Sequence, residues 1–168
     1  MGKLFSNERG AAIIELALIA PVFALMTIGI VDMSNAYSRK LQLEQGVQRA
    51  IEMVQQTTQD DTVDNTIKNE VVCQVNGTDS SGNCITTTPI TSSDVTVNYR
   101  LECTSSSGTV TTKLDAAAAD DCASSETQAM YISATVTDKY TPMFPIHFMG
   151  LDADGTYHLS ATAGMRTQ

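Results

Sequence analysis

The chain opens with a short polar segment and continues into one long apolar run. In residues 11–31 the only charged side chain is Glu15. At 1.5 Å per residue, a helix of this length spans roughly 30 Å, the thickness of a bilayer's hydrocarbon core. The pattern therefore predicts a transmembrane helix over residues 11–31. A core helix of a soluble protein is the alternative interpretation.

Beyond the span, apolar residues fall on one half of a helical wheel, which predicts an amphipathic helix over residues 32–58. The predicted stripe consists of Met33, Ala36, Tyr37, Leu41, Leu43, Val47, Ala50, Ile51 and Val54. Lys40 and Glu44 interrupt the stripe, and their i,i+4 spacing allows an ion pair. Together the two segments predict a helix of about 45 residues, interrupted or bent near Pro21, since proline lacks a backbone donor. The stripe either packs on the outer domain or contacts neighbouring subunits.

Three later segments alternate apolar and polar residues, which is typical of half-buried strands. These segments are residues 95–103, 130–137 and 156–165. Two other segments show no such period: residues 56–66 are interpreted as a linker and residues 105–126 as a long loop. The predicted fold class is α+β, with the long helix packed on a small antiparallel sheet domain, residues 59–168, whose loops are held by disulfides.

All four cysteines, Cys73, Cys84, Cys103 and Cys122, follow the span. This distribution is typical of a disulfide framework in an oxidising compartment. Three pairings are possible. We favour Cys73 with Cys84 and Cys103 with Cys122, because each bridge would close a loop rich in Ser, Thr, Gly and Asp. Zinc is the alternative, but there is no C-x-x-C pair and both histidines are far from the cysteines in sequence.

Charge indicates the orientation and excludes some partners. Lys3 and Arg9 precede the span, and the positive-inside rule places that end in the cytoplasm. The net charge of −9 comes from the part beyond the span. An acidic surface repels nucleic acid and anionic headgroups, so neither is expected as a partner.

No pattern in the sequence indicates catalysis or a cofactor. The serines and threonines lack a nearby base, there is no phosphate loop, and His147 lies among apolar residues, where a packed histidine is expected. Residues 152–155, "DADG", lack the later glutamate of an EF-hand and predict a solvated turn. Asn76 begins a glycosylation sequon, a pattern that often arises by chance.

The position of Glu15 points to a particular class of leader. A secretory signal cut after "APVFA" is one alternative, but an acid inside its apolar region opposes insertion. Basic residues, Gly10, four small or apolar residues, Glu15 and an apolar run resemble the leader of type IV prepilins. The resemblance implies that a prepilin peptidase removes residues 1–10 by cutting between Gly10 and Ala11.

A carboxylate in the apolar part of a bilayer costs about 2–3 kcal/mol and needs a partner. The amine freed at Ala11 is such a partner, but roughly 6 Å of helical rise separates it from Glu15 in the same chain. Pairing is therefore easier with the amine of an adjacent subunit. The alternative is an unpaired acid that snorkels to the interface.

Residues 9–50, "RGAAIIELALIAPVFALMTIGIVDMSNAYSRKLQLEQGVQRA", resemble the N-terminus of TadE-like minor pseudopilins of the tight-adherence (Tad, or Flp) pilus. The marks are Gly-Ala-Ala, the glutamate, Pro21 in mid-span, and an Asp that leads into an amphipathic helix. Residues 132–145 and 157–166 are similar to the final strands of those proteins.

The resemblance implies a non-enzymatic minor pilin or pseudopilin that helps to initiate or assemble an adhesive pilus. It would lie in the bacterial inner membrane with its C-terminal domain in the periplasm. Its partners would be other pilins, the prepilin peptidase and the assembly platform. The alternative is a single-span periplasmic binding or adhesion module whose leader matches by chance.

Overall fold

A computed structural model describes residues 8–57, 63–114, 116, 120–144 and 151–167. The elements are α1 (Glu8–Thr57), α2 (Val63–Asn76), a short 3-10 helix (Ser92–Asp94), β1 (Val95–Thr104), β2 (Val110–Leu114), β3 (Thr127–Tyr140) and β4 (Tyr157–Arg166). The strands form one antiparallel sheet in the order β2-β1-β3-β4. The predicted α+β class is confirmed.

The chain divides into two compact units. The first unit comprises Met1–Ser38 and Thr141–Tyr157, and the second comprises Arg39–Tyr140 and His158–Gln168. The segment between β3 and β4 thus groups with the beginning of α1.

Helix α1 is 50 residues long and contains Pro21. The helix continues through Pro21, so of the two predicted outcomes, an interruption or a bend, the interruption is wrong. In an apolar run, backbone groups that leave the helix find no other partner, which favours continuity even at a proline. Residues 1–7 of the predicted leader lie outside the described residues.

The core of the second unit lies between two helices and one face of the sheet. Its buried members are Leu43, Val47, Ala50 and Ile51 of α1, Ile67, Val71 and Val72 of α2, and Ile90, Val95, Ile132, Ala134, Val136 and Ala161. The strand residues among them alternate with more exposed neighbours, as the period-2 pattern predicts. The three predicted strands correspond to β1, β3 and β4.

The predicted stripe on α1 is only partly a packing surface. Its second half is buried in the core, but Met33, Tyr37 and Leu41 are exposed. A helical wheel shows which residues share a face of the helix but not where along the helix a partner surface lies. The pattern therefore does not distinguish these three residues from the buried half. The Val54 side chain lies outside the described residues. The predicted pair of Lys40 and Glu44 is present, with 3.9 Å between the Nζ and Oε1 atoms.

Two elements contradict the sequence interpretation. The predicted linker, residues 56–66, contributes its last residues to α2, and the predicted loop, residues 105–126, contains β2. Helix α2 places Ile67, Val71 and Val72 in the core. Strand β2 is exposed along its whole length, so its sequence carries no burial alternation to detect.

Two contacts hold α1 in the second unit. Arg39 Nε donates to Asp138 Oδ2 of β3 at 2.6 Å, and both side chains are mostly buried. A methyl group at Gly46 would overlap the side chain of Val75, so glycine allows α2 to approach α1 closely. Removing one partner of a buried ion pair is costly, and the Arg39 contact therefore anchors the helix to the sheet.

Candidate functional site

The first candidate site is the apolar segment of α1. This helix is long and apolar enough to cross a membrane, and none of its most apolar window is buried within the protein. The exposed large side chains are Ile13, Ile14, Leu16, Leu18, Ile19, Val22, Phe23, Leu25, Met26, Ile30 and Val31. A soluble core helix would bury these residues, so the exposure favours a membrane span over that alternative.

Glu15 is exposed on this apolar surface. Within the described part of the chain, its carboxylate forms no ion pair or hydrogen bond. Gly10 and Ala11 lie in the first turns of α1, one turn before Glu15. A carboxylate surrounded by lipid-facing side chains needs a cationic partner or water, and this geometry leaves it accessible to a partner outside the chain.

The second candidate site is Asp32, the residue directly after the apolar run. Its side chain is 1% exposed. Oδ1 accepts the backbone N–H of Met143 at 2.9 Å, and Oδ2 accepts that of Phe144 at 3.3 Å. Asn35 Nδ2 donates to Met143 Sδ at 3.4 Å, on the next turn of the helix. Two N–H donors satisfy the buried charge and fix the loop after β3 at the end of the span.

Sequence reasoning missed this contact. In the sequence Asp32 is only an acid that follows the span, because its hydrogen-bond partners lie 111 and 112 positions away. The available signal was the position of a lone carboxylate at the boundary of an apolar run.

The structure contains both disulfides of the favoured pairing. The Cα–Cα distances are 4.9 Å for Cys73–Cys84 and 5.6 Å for Cys103–Cys122. The Glu126 carboxylate lies within 4.8 Å of the sulfurs of Cys103 and Cys122, a spacing that would suit a metal. Because these sulfurs are bonded to each other, they offer no thiolate for zinc.

The loop closed by Cys73 and Cys84 is built around two polar side chains. Asn76 Nδ2 donates to the carbonyls of Ile85 and Ile90, at 2.8 and 2.7 Å, so the sequon amide serves a structural role. Asp79 Oδ1 accepts the backbone N–H groups of Asn83 and Ser81, and these bonds hold the pKa of Asp79 below its ordinary value of 3.8.

The remaining sequence candidates have structural roles or lie outside the described part. Residues 152–155 form a turn: the Gly155 N–H donates to the Asp152 carbonyl at 2.9 Å, and Asp154 Oδ1 accepts from the Thr156 hydroxyl at 2.7 Å. This agrees with the predicted turn. His147 lies outside the described residues, and His158 is exposed on β4.

Helix α1 is long and apolar enough to cross a bilayer once, and it is followed by a disulfide-bonded α+β domain. These features fit a single-pass membrane protein. Residues 10–51 match the family model described as TadE-like protein, and the match begins at Gly10 and includes Glu15 and Asp32. The match covers 42 of the 168 residues and supports the resemblance to TadE-like proteins of the Tad pilus system. Proteins of this family are structural components rather than enzymes. Comparison with curated proteins and with solved structures gave no significant match.

Proposed function

We propose that this chain is a minor pilin or pseudopilin that helps to initiate or assemble a Tad pilus, and that it has no enzymatic activity. The observation that carries the proposal is the lone, exposed carboxylate of Glu15 on the exposed apolar segment of α1, in a stretch whose family match starts at Gly10. A carboxylate in lipid is costly unless a cationic group or water contacts it, and the amine of a neighbouring subunit would be such a cationic group.

The proposed location is the bacterial inner membrane, with the N-terminus in the cytoplasm and the domain in the periplasm. Lys3 and Arg9 before the span support this orientation. The two disulfides also support it, because such bonds persist in the periplasm and not in the cytosol. Prepilin peptidase, other pilins and the assembly platform are the proposed partners.

Cleavage between Gly10 and Ala11 would create the partner of Glu15. A free α-amine has a pKa of about 8 and carries much of its positive charge at neutral pH. The amine of an adjacent, axially shifted subunit would reach the exposed carboxylate of Glu15. Met33 and Tyr37, both exposed, continue the apolar surface of α1 past the span and would extend the helix–helix contact.

N-terminal sequencing of the mature protein from cell envelopes tests the processing step. We expect a start at Ala11, and we expect Gly10→Leu to keep its leader because a larger side chain should not fit the peptidase pocket. Recovery of the full-length chain alone, or a start after Ala24, would contradict the proposal.

Glu15→Gln tests the assembly step. Neutralising the carboxylate lowers the cost of the span, so cleavage and protein level should be unchanged, while a charge-assisted contact in lipid is lost. We expect a several-fold decrease in surface pili and in partner pilins recovered in mild detergent. Glu52→Gln, at an exposed acid of the same helix beyond the span, is the matched control and should assemble normally. Normal pili in Glu15→Gln cells would favour a single-span binding module instead.

A further inference from the structure

The loop that follows β3 is tied to the end of the apolar run. Val31 is the last apolar residue of the predicted span, and the buried carboxylate of Asp32 accepts two backbone N–H groups from this loop, those of Met143 and Phe144. Asn35 adds a contact to the Met143 sulfur. Residues 141–144 are therefore held at the level of the helix where the predicted span ends and the first charged residue after it, Asp32, stands.

This loop exposes large apolar side chains at that level. Met143 is 69% exposed and Phe144 is 36% exposed, and residues 141–144 contain no charge. On the adjacent turn of α1, Ile30 and Val31 are also exposed. If α1 crosses the bilayer, these helix side chains face lipid, and the loop side chains at the same depth meet the headgroup and upper acyl region.

We propose that residues 141–144 form a second membrane contact, in which Met143 and Phe144 insert into the interface beside the span and Asp32 positions them. The proposal rests on the membrane anchoring of α1, which is part of the proposed function. The occupant is the lipid bilayer itself, because the carboxylate fixes the loop at the end of the predicted span and the loop offers an uncharged surface whose two large exposed side chains, Met143 and Phe144, are apolar.

The role of Asp32 follows from the needs of both partners. Loop amides near the hydrocarbon boundary lose water and need an acceptor, and a carboxylate there needs donors. The two hydrogen bonds satisfy both groups at once. Without charge on the loop, the contact should depend on apolar burial and should form equally on zwitterionic lipid.

The chain contains no tryptophan, so Phe144→Trp introduces a single tryptophan as the fluorescent probe. The full chain is reconstituted in phosphatidylcholine vesicles whose acyl chains carry bromine at a shallow or a deep position. We expect blue-shifted emission that shallow bromines quench at least twofold more than deep bromines. Leu18→Trp, exposed within the span, is the positive control and should be quenched most by deep bromines.

Asp32→Ala and Asp32→Asn in the Phe144→Trp background test the positioning. We expect Asp32→Ala to reduce the shallow quenching at least twofold, and Asp32→Asn, which keeps one acceptor, to give an intermediate value. Intact disulfides and an unchanged circular dichroism spectrum show that both variants fold. Shallow quenching that neither substitution changes would overturn the assignment to Asp32.

Other outcomes separate this proposal from the proposed function. Quenching of Leu18→Trp without quenching of Phe144→Trp overturns the loop contact and leaves the anchor intact. Absence of quenching at both positions overturns the anchor and the loop contact together. Blue-shifted emission without bromine quenching, which grows with the protein-to-lipid ratio, would place the loop against another copy of the chain and overturn the lipid assignment.

Discussion

Three carboxylates illustrate how surroundings decide what the same chemical group does. Glu15 is exposed on an apolar helix, Asp32 is buried against two loop amides, and Asp79 is exposed but accepts two amides in a turn. Only Glu15 has no described partner within the chain. This contrast supports an external role for Glu15 and internal roles for the other two.

Asp79 gives a prediction about pH. Its pKa is lower in the folded chain than the ordinary value of 3.8, because the backbone N–H groups of Asn83 and Ser81 favour the charged form. The stability that it contributes is therefore present above about pH 4 and is lost as the pH falls through the lowered pKa. In an NMR titration, the amide protons of Ser81 and Asn83 should shift with a midpoint below 3.8.

Asp79→Asn is the matched control, since it keeps an acceptor oxygen but cannot titrate. The acid-dependent shifts of both amides should disappear in this variant. A wild-type midpoint at or above 3.8 would contradict the assignment.

Packing between helices depends on one small residue. Gly46 lies in α1 where α2 passes, and an added Cβ would overlap a methyl group of Val75. Glycine in a helix interior costs about 1 kcal/mol relative to alanine. The close approach of α2 that glycine allows at this position opposes this cost.

Gly46→Ala should destabilise the second unit. Overpacking destabilises by about 1–3 kcal/mol, whereas the higher helix propensity of alanine stabilises by up to about 1 kcal/mol. We therefore expect the free energy of unfolding to fall by about 1–2 kcal/mol. Urea unfolding of the detergent-solubilised chain, followed by pulse proteolysis, measures the change. Gln45→Ala, at the exposed neighbouring position, is the control, and its free energy of unfolding should stay within about 0.5 kcal/mol of the wild-type value.

A second substitution identifies the cause. In a Val75→Ala background the overlapping methyl is gone, so Gly46→Ala should become neutral or stabilising. An equal loss in both backgrounds would show that the overlap is not responsible.

For the molecule as a whole, oxidation links folding to the proposed compartment. Each disulfide closes a loop, with sequence separations of 11 and 19 residues. In the chain-entropy model such loops contribute about 3 kcal/mol each. The bridge Cys103–Cys122 also fastens the segment after the exposed edge strand β2 to β1.

Non-reducing peptide mapping of the protein from cell envelopes should therefore recover the peptides Cys73–Cys84 and Cys103–Cys122 with no free thiol. Chain retained in the cytosol should give four alkylatable cysteines. Cys84→Ser should lower the unfolding free energy by about 3 kcal/mol. A crosslinked Cys73–Cys103 peptide, or four free thiols in the envelope fraction, would contradict the prediction.

Local sequence patterns predict much of the fold of this protein. The apolar run, strands β1, β3 and β4 and both disulfides follow from residues close together in sequence, because helix and strand periods and short loop closures are local properties. The family resemblance and the position of Glu15, the only charged residue of the apolar run, likewise follow from one segment.

The tertiary structure decided what depends on distant partners. Ile67, Val71 and Val72 of α2 have helical spacing, but the polar residues around them are typical of a linker, and only the folded core shows that these three side chains are buried. Strand β2 has no buried face, and its existence depends on pairing with β1. The second half of the stripe on α1 is buried in the core while Met33, Tyr37 and Leu41 are exposed, and Asp32 accepts from donors more than a hundred residues away. Such contacts are set by which surfaces meet in the folded chain, and no local period encodes that.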